Sequence, residues 1–369
     1  LACVVKKSLF CFTQSTEDAE EVWGTVRAPA NGSTLLNLTD HMHVFVYEDL
    51  TAQGLGRAPN SPGHSMYLEG RAMRDAIAED LSRVEDVEVS VVAEEDVPLP
   101  QDGFEQGSRE ADWTFLIAPE LGGRLLHLAA SVERVGGRLL GPSVEAIRLT
   151  SDKVALFEFW RKRGVPTPAT TEREPGMCEA FPVVWKPRDG AGSTRTYLLQ
   201  SSQDVVRVRA SLSLDKDVGP RIMQEYVPGL AASISFLCGP QLHLALPPAS
   251  QLLSSDGSFQ YLGGEIPLEP RLAERALQLG RLALQDLPGL LGFIGIDLVL
   301  GDREDGSRDF AIEINPRLTT SYLGLRELAS TNLAETLLAL VQNERIKPFR
   351  WKNTHIRFGT GGDDPKGYD

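Results

Sequence analysis

No apolar run in this chain approaches the roughly 18 residues that a membrane span requires, which argues against a membrane protein. Positive charge is also short. Lys and Arg number 37 against 51 Asp and Glu, a formal net charge of −14. A nucleic-acid-binding surface would be basic, so nucleic acid is not an expected partner. Acidity of this kind mainly favours solubility. Cysteine is scarce: Cys3, Cys11, Cys178 and Cys238 form no CxxC pair and no zinc pattern. They read as free thiols in a reducing compartment, the cytoplasm. Two nucleotide signatures are incomplete. Gly54-Leu55-Gly56 follows a strand, but Pro59 stands where a dinucleotide fold needs its third glycine. No Lys-Ser or Lys-Thr follows Gly192, so there is no Walker A loop. There is no internal repeat.

What is present suits a globular protein of two or three domains: 369 residues, 42% hydrophobic. Residues 1–41 lack sustained periodicity, and the first strong strand follows Met42. They read as a disordered leader, or as sequence upstream of a natural start at Met42, with a real but poorly ordered N-terminal extension as the alternative. From 42 to 141, strands at 43–48, 87–93, 113–118 and 138–140 alternate with helices at 65–84 and 122–135. That alternation implies a mainly parallel sheet covered by helices. The loop from Thr51 to Pro62 is expected to line a cleft at the sheet's C-terminal edge. Gly141-Pro142-Ser143 marks the boundary to a second part, 142–350, with helices at 143–149 and 152–163. It continues with a strand-rich stretch from 181 to 266 and helices at 203–212, 270–286, 322–329 and 332–344. The tail, 351–369, reads as polar and frayed.

The segment Phe310-Ala311-Ile312-Glu313-Ile314-Asn315-Pro316-Arg317 carries the most chemistry. Alternation would put Phe310, Ile312 and Ile314 on one face and Glu313 with Asn315 on the other. Pro316 ends the ladder. Asp297 is the one charge in the apolar run Gly292–Leu300, where an unpaired charge would be costly to bury. Gly295 shares its face and leaves room for a close approach. A polar turn at 302–307 makes these two runs a hairpin that brings Asp297, Glu313 and Asn315 together. Hard divalent cations favour such oxygen sets. A surface sheet with acidic residues facing water is the plainer alternative.

Val183 to Thr194 reads as a strand ending in Lys186, then a loop with Gly190, Gly192 and Ser193. Such glycines let backbone N–H groups face an anion, and the lysine can reach phosphates as a point charge. An ordinary hairpin turn would carry the same residues. Lys153 lies near the start of its helix. Gln224-Glu225-Tyr226-Val227 ends a strand before Pro228-Gly229, where one free C=O and one free N–H could meet an adenine edge.

In this order, Lys153, Lys186 with its loop, the 224–227 hinge, Asp297 and Glu313-Ile314-Asn315-Pro316-Arg317 resemble the ATP-grasp superfamily over roughly 142–345. The segment before them resembles its pre-ATP-grasp domain. The resemblance implies an α/β fold, α+β in the C-terminal part, with 181–230 as the central nucleotide-binding subdomain. It implies that Lys153 and Lys186 contact ATP phosphates. The Glu225 carbonyl and Val227 N–H would read adenine, with Gln224 alongside. Asp297, Glu313 and Asn315 would hold two Mg²⁺ (or Mn²⁺) ions. Many members place an acid on the ribose after the hinge, and Ser233 is a poor substitute here.

The implied activity is an ATP-dependent, ADP-forming carboxylate–amine ligase that uses small-molecule substrates. A kinase or carboxylase of the same superfamily, or a non-catalytic ATP-binding regulator, is the alternative. Arg317 is expected to hold the transferring phosphoryl group or the substrate carboxylate, or simply to pair with Glu313. Thr319, Thr320 and Ser321 add hydrogen bonds. The stretch from Glu313 to Tyr322, with Tyr261-Leu262-Gly263-Gly264, resembles tyramine–glutamate ligases and so implies L-glutamate and tyramine. Tyr47 and Tyr322 are candidates to hold the ring, and the sequence leaves room for a homo-oligomer.

Overall fold

The computed structural model describes residues 41–61, 63–92, 99–173, 180–190, 192–212 and 219–359. The expected leader lies outside the described residues apart from His41. So do Cys3, Cys11, Cys178, Ala191 of the Gly-rich loop, and residues 360–369 of the tail. Among the described residues, no helix is long and apolar enough to cross a membrane.

The N-terminal part holds β1 (Met42–Glu48), α1 (Asp49–Ala52), α2 (His64–Ser82), β2 (Val87–Val91), α3 (Gln101–Glu110), β3 (Trp113–Ile117) and α4 (Arg124–Arg134). The strands form a parallel sheet in the order β2-β1-β3. Alternation predicted this sheet, with two corrections. The strand expected at 138–140 is a single bridge between Thr114 and Leu139. Helix α3 went unforeseen because Phe104 and Ser108 are its buried residues, too few to show helical spacing.

The second part starts with α5 (Val144–Ser151) and α6 (Lys153–Arg163). A four-stranded antiparallel sheet follows, built from β4 (Thr170–Thr171), β5 (Val183–Pro187), β6 (Tyr197–Leu199) and β7 (Arg221–Glu225) in the order β4-β7-β5-β6. Helix α7 (Ser202–Leu212) covers it, with Val205, Val208 and Leu212 in the shared core.

A seven-stranded sheet completes the molecule. Its strands are β8 (Leu230–Cys238), β9 (His243–Ala245), β10 (Ala249–Leu253), β11 (Tyr261–Ile266), β12 (Gly292–Leu300), β13 (Phe310–Asn315) and β14 (Ile356–Phe358). Helix α8 (Pro270–Leu284) packs Ala276, Leu279 and Ala283 on it. A Cβ at Gly280 would come within 2.7 Å of Ile234, so glycine is what lets α8 sit this close to β8.

Strand β14 corrects the frayed tail. Ile356 and Phe358 flank Arg357 on the β11 edge, and Phe358 is buried against Gly264 and Gly324. Two apolar residues are too short a pattern to read as a strand beforehand.

Helices α9 (Ser321–Leu328) and α10 (Leu333–Val341) join the two parts. Leu318, Tyr322, Leu325 and Leu337 share one core with Val44, Val46 and Ile77. A buried polar clamp sits beside it. Asp80 of α2 accepts from the Tyr322 hydroxyl at 2.7 Å and from Arg326 at 2.6 and 2.9 Å.

Candidate active site

One cleft of about 660 Å³ opens between the four-stranded and the seven-stranded sheet. It is lined by Lys153, Lys186, Gly190, Gly192, Ser193, Gln224, Glu225, Val227, Asp297, Glu313, Asn315, Arg317, Thr319, Thr320 and Ser321. These residues lie far apart in the chain, and the fold brings them to one cavity. Tyr322 and the other ring candidate, Tyr47, are the exceptions among the expected site residues.

The hairpin of β12 and β13 pairs Asp297 with Glu313 and Gly295 with Asn315. Asp297 accepts from Gln251 at 2.9 Å and from the Asn315 amide at 3.1 Å. The register slips between Asp297 and Leu298, so Ile312 is the extra residue on β13. This corrects the simple alternation. Ala311 and Ile314 enter the core, while Ile312 turns to the cleft beside Glu313. Gly295 does leave room, and Thr319 takes it: a Cβ there would lie 2.6 Å from Thr319 Cγ2.

Lys153 is delivered to this hairpin by its helix start. Asp152 caps α6 by accepting from Val154 and Ala155. Arg188, just after β5, donates to the same Asp152, and its carbonyl accepts from the Lys153 N–H. Lys153 Nζ then lies 3.3 Å from the Gly190 carbonyl and 3.4 Å from Glu313 Oε2. Lys186 Nζ is 4.0 Å from the same oxygen.

The electrostatics follow from this crowding. Burial, then the neighbouring Glu313 charge, pushes the Asp297 carboxyl well above the usual range. Burial would raise Glu313 too, but the Lys153 and Lys186 charges outweigh it and hold Glu313 low. Burial drives Lys186 down to about 8. The two carboxyls are cross-strand neighbours, so the charge on one disfavours ionisation of the other. Among the described residues no group of three His, Cys, Asp or Glu could hold a metal. The candidate set here is two carboxylates and the Asn315 carboxamide, all oxygen donors, which fits Mg²⁺ bridged to phosphate.

The loop after Lys186 has φ of +132° at Gly190, +64° at Gly192 and +53° at Ser193. Angles of this sign favour glycine, which explains Gly190 and Gly192. At the hinge, the Glu225 N–H is used by the Ala169 carbonyl at 2.8 Å. The Val227 N–H makes no backbone hydrogen bond among the described residues. Gln224 points its amide at Thr170 Oγ1, 3.0 Å away, and so braces β7 against β4.

Several expectations need correction. Arg317 lines the cleft but forks onto Glu120, with distances of 3.0 and 3.1 Å, rather than pairing with Glu313. Tyr47 and Tyr322 are buried and bond Asp49 and Asp80, so neither can hold a substrate ring. The loop from Thr51 to Ser61 does not line the cleft, and Pro62 lies outside the described residues. Ser233 does line it, but it pairs in register with Asp297 rather than following the hinge. The residues missed are Glu69, Gln251, Tyr226, Phe259 and Tyr261, which also form the wall. The Tyr226 and Phe259 rings stack 6.3 Å apart. Tyr226 and Tyr261 stood in stretches that the sequence had singled out, whereas Glu69, Gln251 and Phe259 did not.

Residues 150–321 match the ATP-grasp domain family, and residues 72–147 match the pre ATP-grasp 3 domain family. The chain carries an ATP-grasp domain preceded by a pre-ATP-grasp domain. The chain is similar to tyramine–L-glutamate ligases. The match is 26% identical over 65% of this chain and 69% of the Methanocaldococcus fervens protein. It is 27% identical over 65% of this chain and 66% of the Methanocaldococcus jannaschii protein. An ATP-grasp superfamily protein of Archaeoglobus fulgidus has the same fold, with a TM-score of 0.63 and 22% identity. That alignment covers 86% of this chain and 99% of that one.

Proposed function

We propose that this ATP-grasp protein is an ATP-dependent carboxylate–amine ligase, with L-glutamate as the acid and tyramine as the amine. The observation that carries the reading is the Asp297–Glu313 pair, set across two strands and faced by Lys153 and Lys186 in one cleft. Lys153, Lys186 and the turned loop of Gly190, Gly192 and Ser193 would hold the phosphates. The Glu225 carbonyl and Val227 N–H would meet the adenine, between the β7 end and the Tyr226 and Phe259 rings. Asp297, Glu313 and Asn315 would hold Mg²⁺, in a pair of ions. Bound there, Mg²⁺ neutralises phosphate charge as the phosphoryl group moves.

The chain's own groups then do the positioning. A substrate carboxylate oxygen takes the γ-phosphoryl group, giving ADP and an acyl phosphate. Arg317 lines the place where that carboxylate would lie, its plane fixed by Glu120. Thr319 and Ser321, whose hydroxyls lie 2.8 Å apart, supply polar contacts beside it. The amine nitrogen then attacks the acyl carbon, the carbon–oxygen bond to phosphate breaks, and an amide remains.

The naming of the acid and the amine rests on the relatives and on the stretch from Asn315 to Ser321, which lines the cleft apart from Pro316 and Leu318. ADP release should require both L-glutamate and tyramine and should accompany γ-glutamyltyramine. Release with either alone, and no amide, would instead indicate a kinase-like activity. Release with a different acid–amine pair would keep the ligase and replace its substrates.

A further inference from the structure

Glu69 is a half-buried cleft carboxylate to which the reading above gives no work. It sits on α2, so the N-terminal part supplies it to a cavity built otherwise by the second part. The other acids that line the cleft are Asp189 and Glu225, on the loop after β5 and at the hinge, and Asp297 and Glu313 of the hairpin. Asp297 and Glu313 engage each other, a carboxamide and two lysines. Glu120 forks onto Arg317. Among the described residues, Glu69 receives one long hydrogen bond, 3.5 Å from Thr320 Oγ1. The charged and titratable groups that face it are Arg317, on the segment after β13, and Tyr261, on β11. The aromatic ring of Tyr261 lies in the same wall. A carboxylate beside an aromatic ring, next to the place of the acyl group, suits a cationic partner with an apolar body.

We propose that Glu69 binds the primary ammonium of the acceptor amine and takes its proton before the nitrogen attacks. This deepens the ligase reading and rests on it. An ammonium has no lone pair, so attack requires one proton to leave first. That proton goes to a Glu69 carboxylate oxygen. The freed lone pair forms the C–N bond, and the C–O bond to phosphate breaks with its electron pair on the phosphate. The nitrogen's second proton leaves with phosphate or solvent. Burial suits Glu69 to this task. It raises the carboxyl to about 7, against the lowering pull of Arg317 and Thr320, so the group accepts and returns a proton near neutrality.

The test separates activation of the acid from attack by the amine. It uses the full chain with ATP, Mg²⁺ and L-glutamate. Hydroxylamine, largely uncharged at pH 7.5, serves as one nitrogen nucleophile and tyramine as the other. Glu69→Gln should lose roughly 100-fold in amide formation with tyramine. Its hydroxamate formation should fall less than about threefold, on the same grounds, because that nitrogen has no ammonium proton to remove. The tyramine deficit should shrink as pH rises toward the amine's own deprotonation. An equal fall in both products, no fall in either, or a deficit independent of pH would overturn the role of Glu69. Absence of hydroxamate with the unsubstituted protein would instead overturn the ligase reading, and the role of Glu69 with it.

Discussion

On the seven-stranded side of the cleft the polar groups sit on paired strands. Asp297, Glu313, Asn315 and Ser233 are held by ladder hydrogen bonds and by side-chain contacts near 3 Å. On the four-stranded side the working groups are backbone atoms and one buried lysine. Gly190, Gly192 and Ser193 present left-handed turns, and the hinge uses main-chain groups beyond β7. One side is thus set by side-chain identity, and the other by backbone conformation. The difference teaches where substitution should hurt. A change of one side-chain atom matters on the first side, whereas on the second only Lys186 and the glycines offer a point of attack.

The largest effect is expected on the strand-built side. Asp297→Asn and Glu313→Gln should each lower Mg²⁺-dependent ADP formation by about 10²–10³, as for loss of one preorganised electrostatic contact. Thermal melting should show both variants folded, since the ladder does not use these side chains. Near-normal turnover in both would remove the metal assignment and erase the contrast between the sides.

On the loop-built side, Lys186→Ala should weaken ATP binding by about 10- to 100-fold, the worth of a charged hydrogen bond. Glu225→Ala should change it little, because the Glu225 side chain is exposed and only its carbonyl is assigned to adenine. Isothermal titration calorimetry on the two variants decides the matter. The reverse order would mean that the hinge works through side chains after all.

The smallest effect concerns the N-terminal contribution. The Glu69 carboxyl is raised from 4.5 to about 7 in the folded protein. The folded state therefore holds this proton more tightly than the unfolded state. Its contribution is present below pH 4.5 and is lost as pH rises through about 7. In urea melts the stability lost between pH 5 and pH 8 should be smaller in Glu69→Gln than in the unsubstituted protein, by on the order of 1–2 kcal/mol. An unchanged pH dependence in the variant would show that Glu69 is solvated like a surface carboxylate.

The same contrast explains how much could be read from the sequence. Asp297 and Glu313 were legible because a lone charge in an apolar strand and a two-residue period are sequence signals. The bulge at Ile312 was not, since a register slip depends on the partner strand. Lys153 and Lys186 stood at element ends, the first at the start of a helix and the second at the end of a strand before a Gly-rich loop. Glu69 was invisible because a glutamate on a helix of ordinary spacing looks solvated. Only the packing of α2 on α9 carries it into the cleft. Tyr322 misled for the opposite reason: it follows the site segment directly, yet the turn into α9 points it at Asp80 and the core.

The central claim is that a substrate carboxylate is phosphorylated before an amine displaces phosphate. L-Glutamate labelled with ¹⁸O in its carboxylates tests it directly, with ATP, Mg²⁺ and tyramine and with mass spectrometry of the phosphate released. The account predicts one ¹⁸O atom in each phosphate formed, matched by one lost from the amide product. Unlabelled phosphate accompanying amide would contradict it.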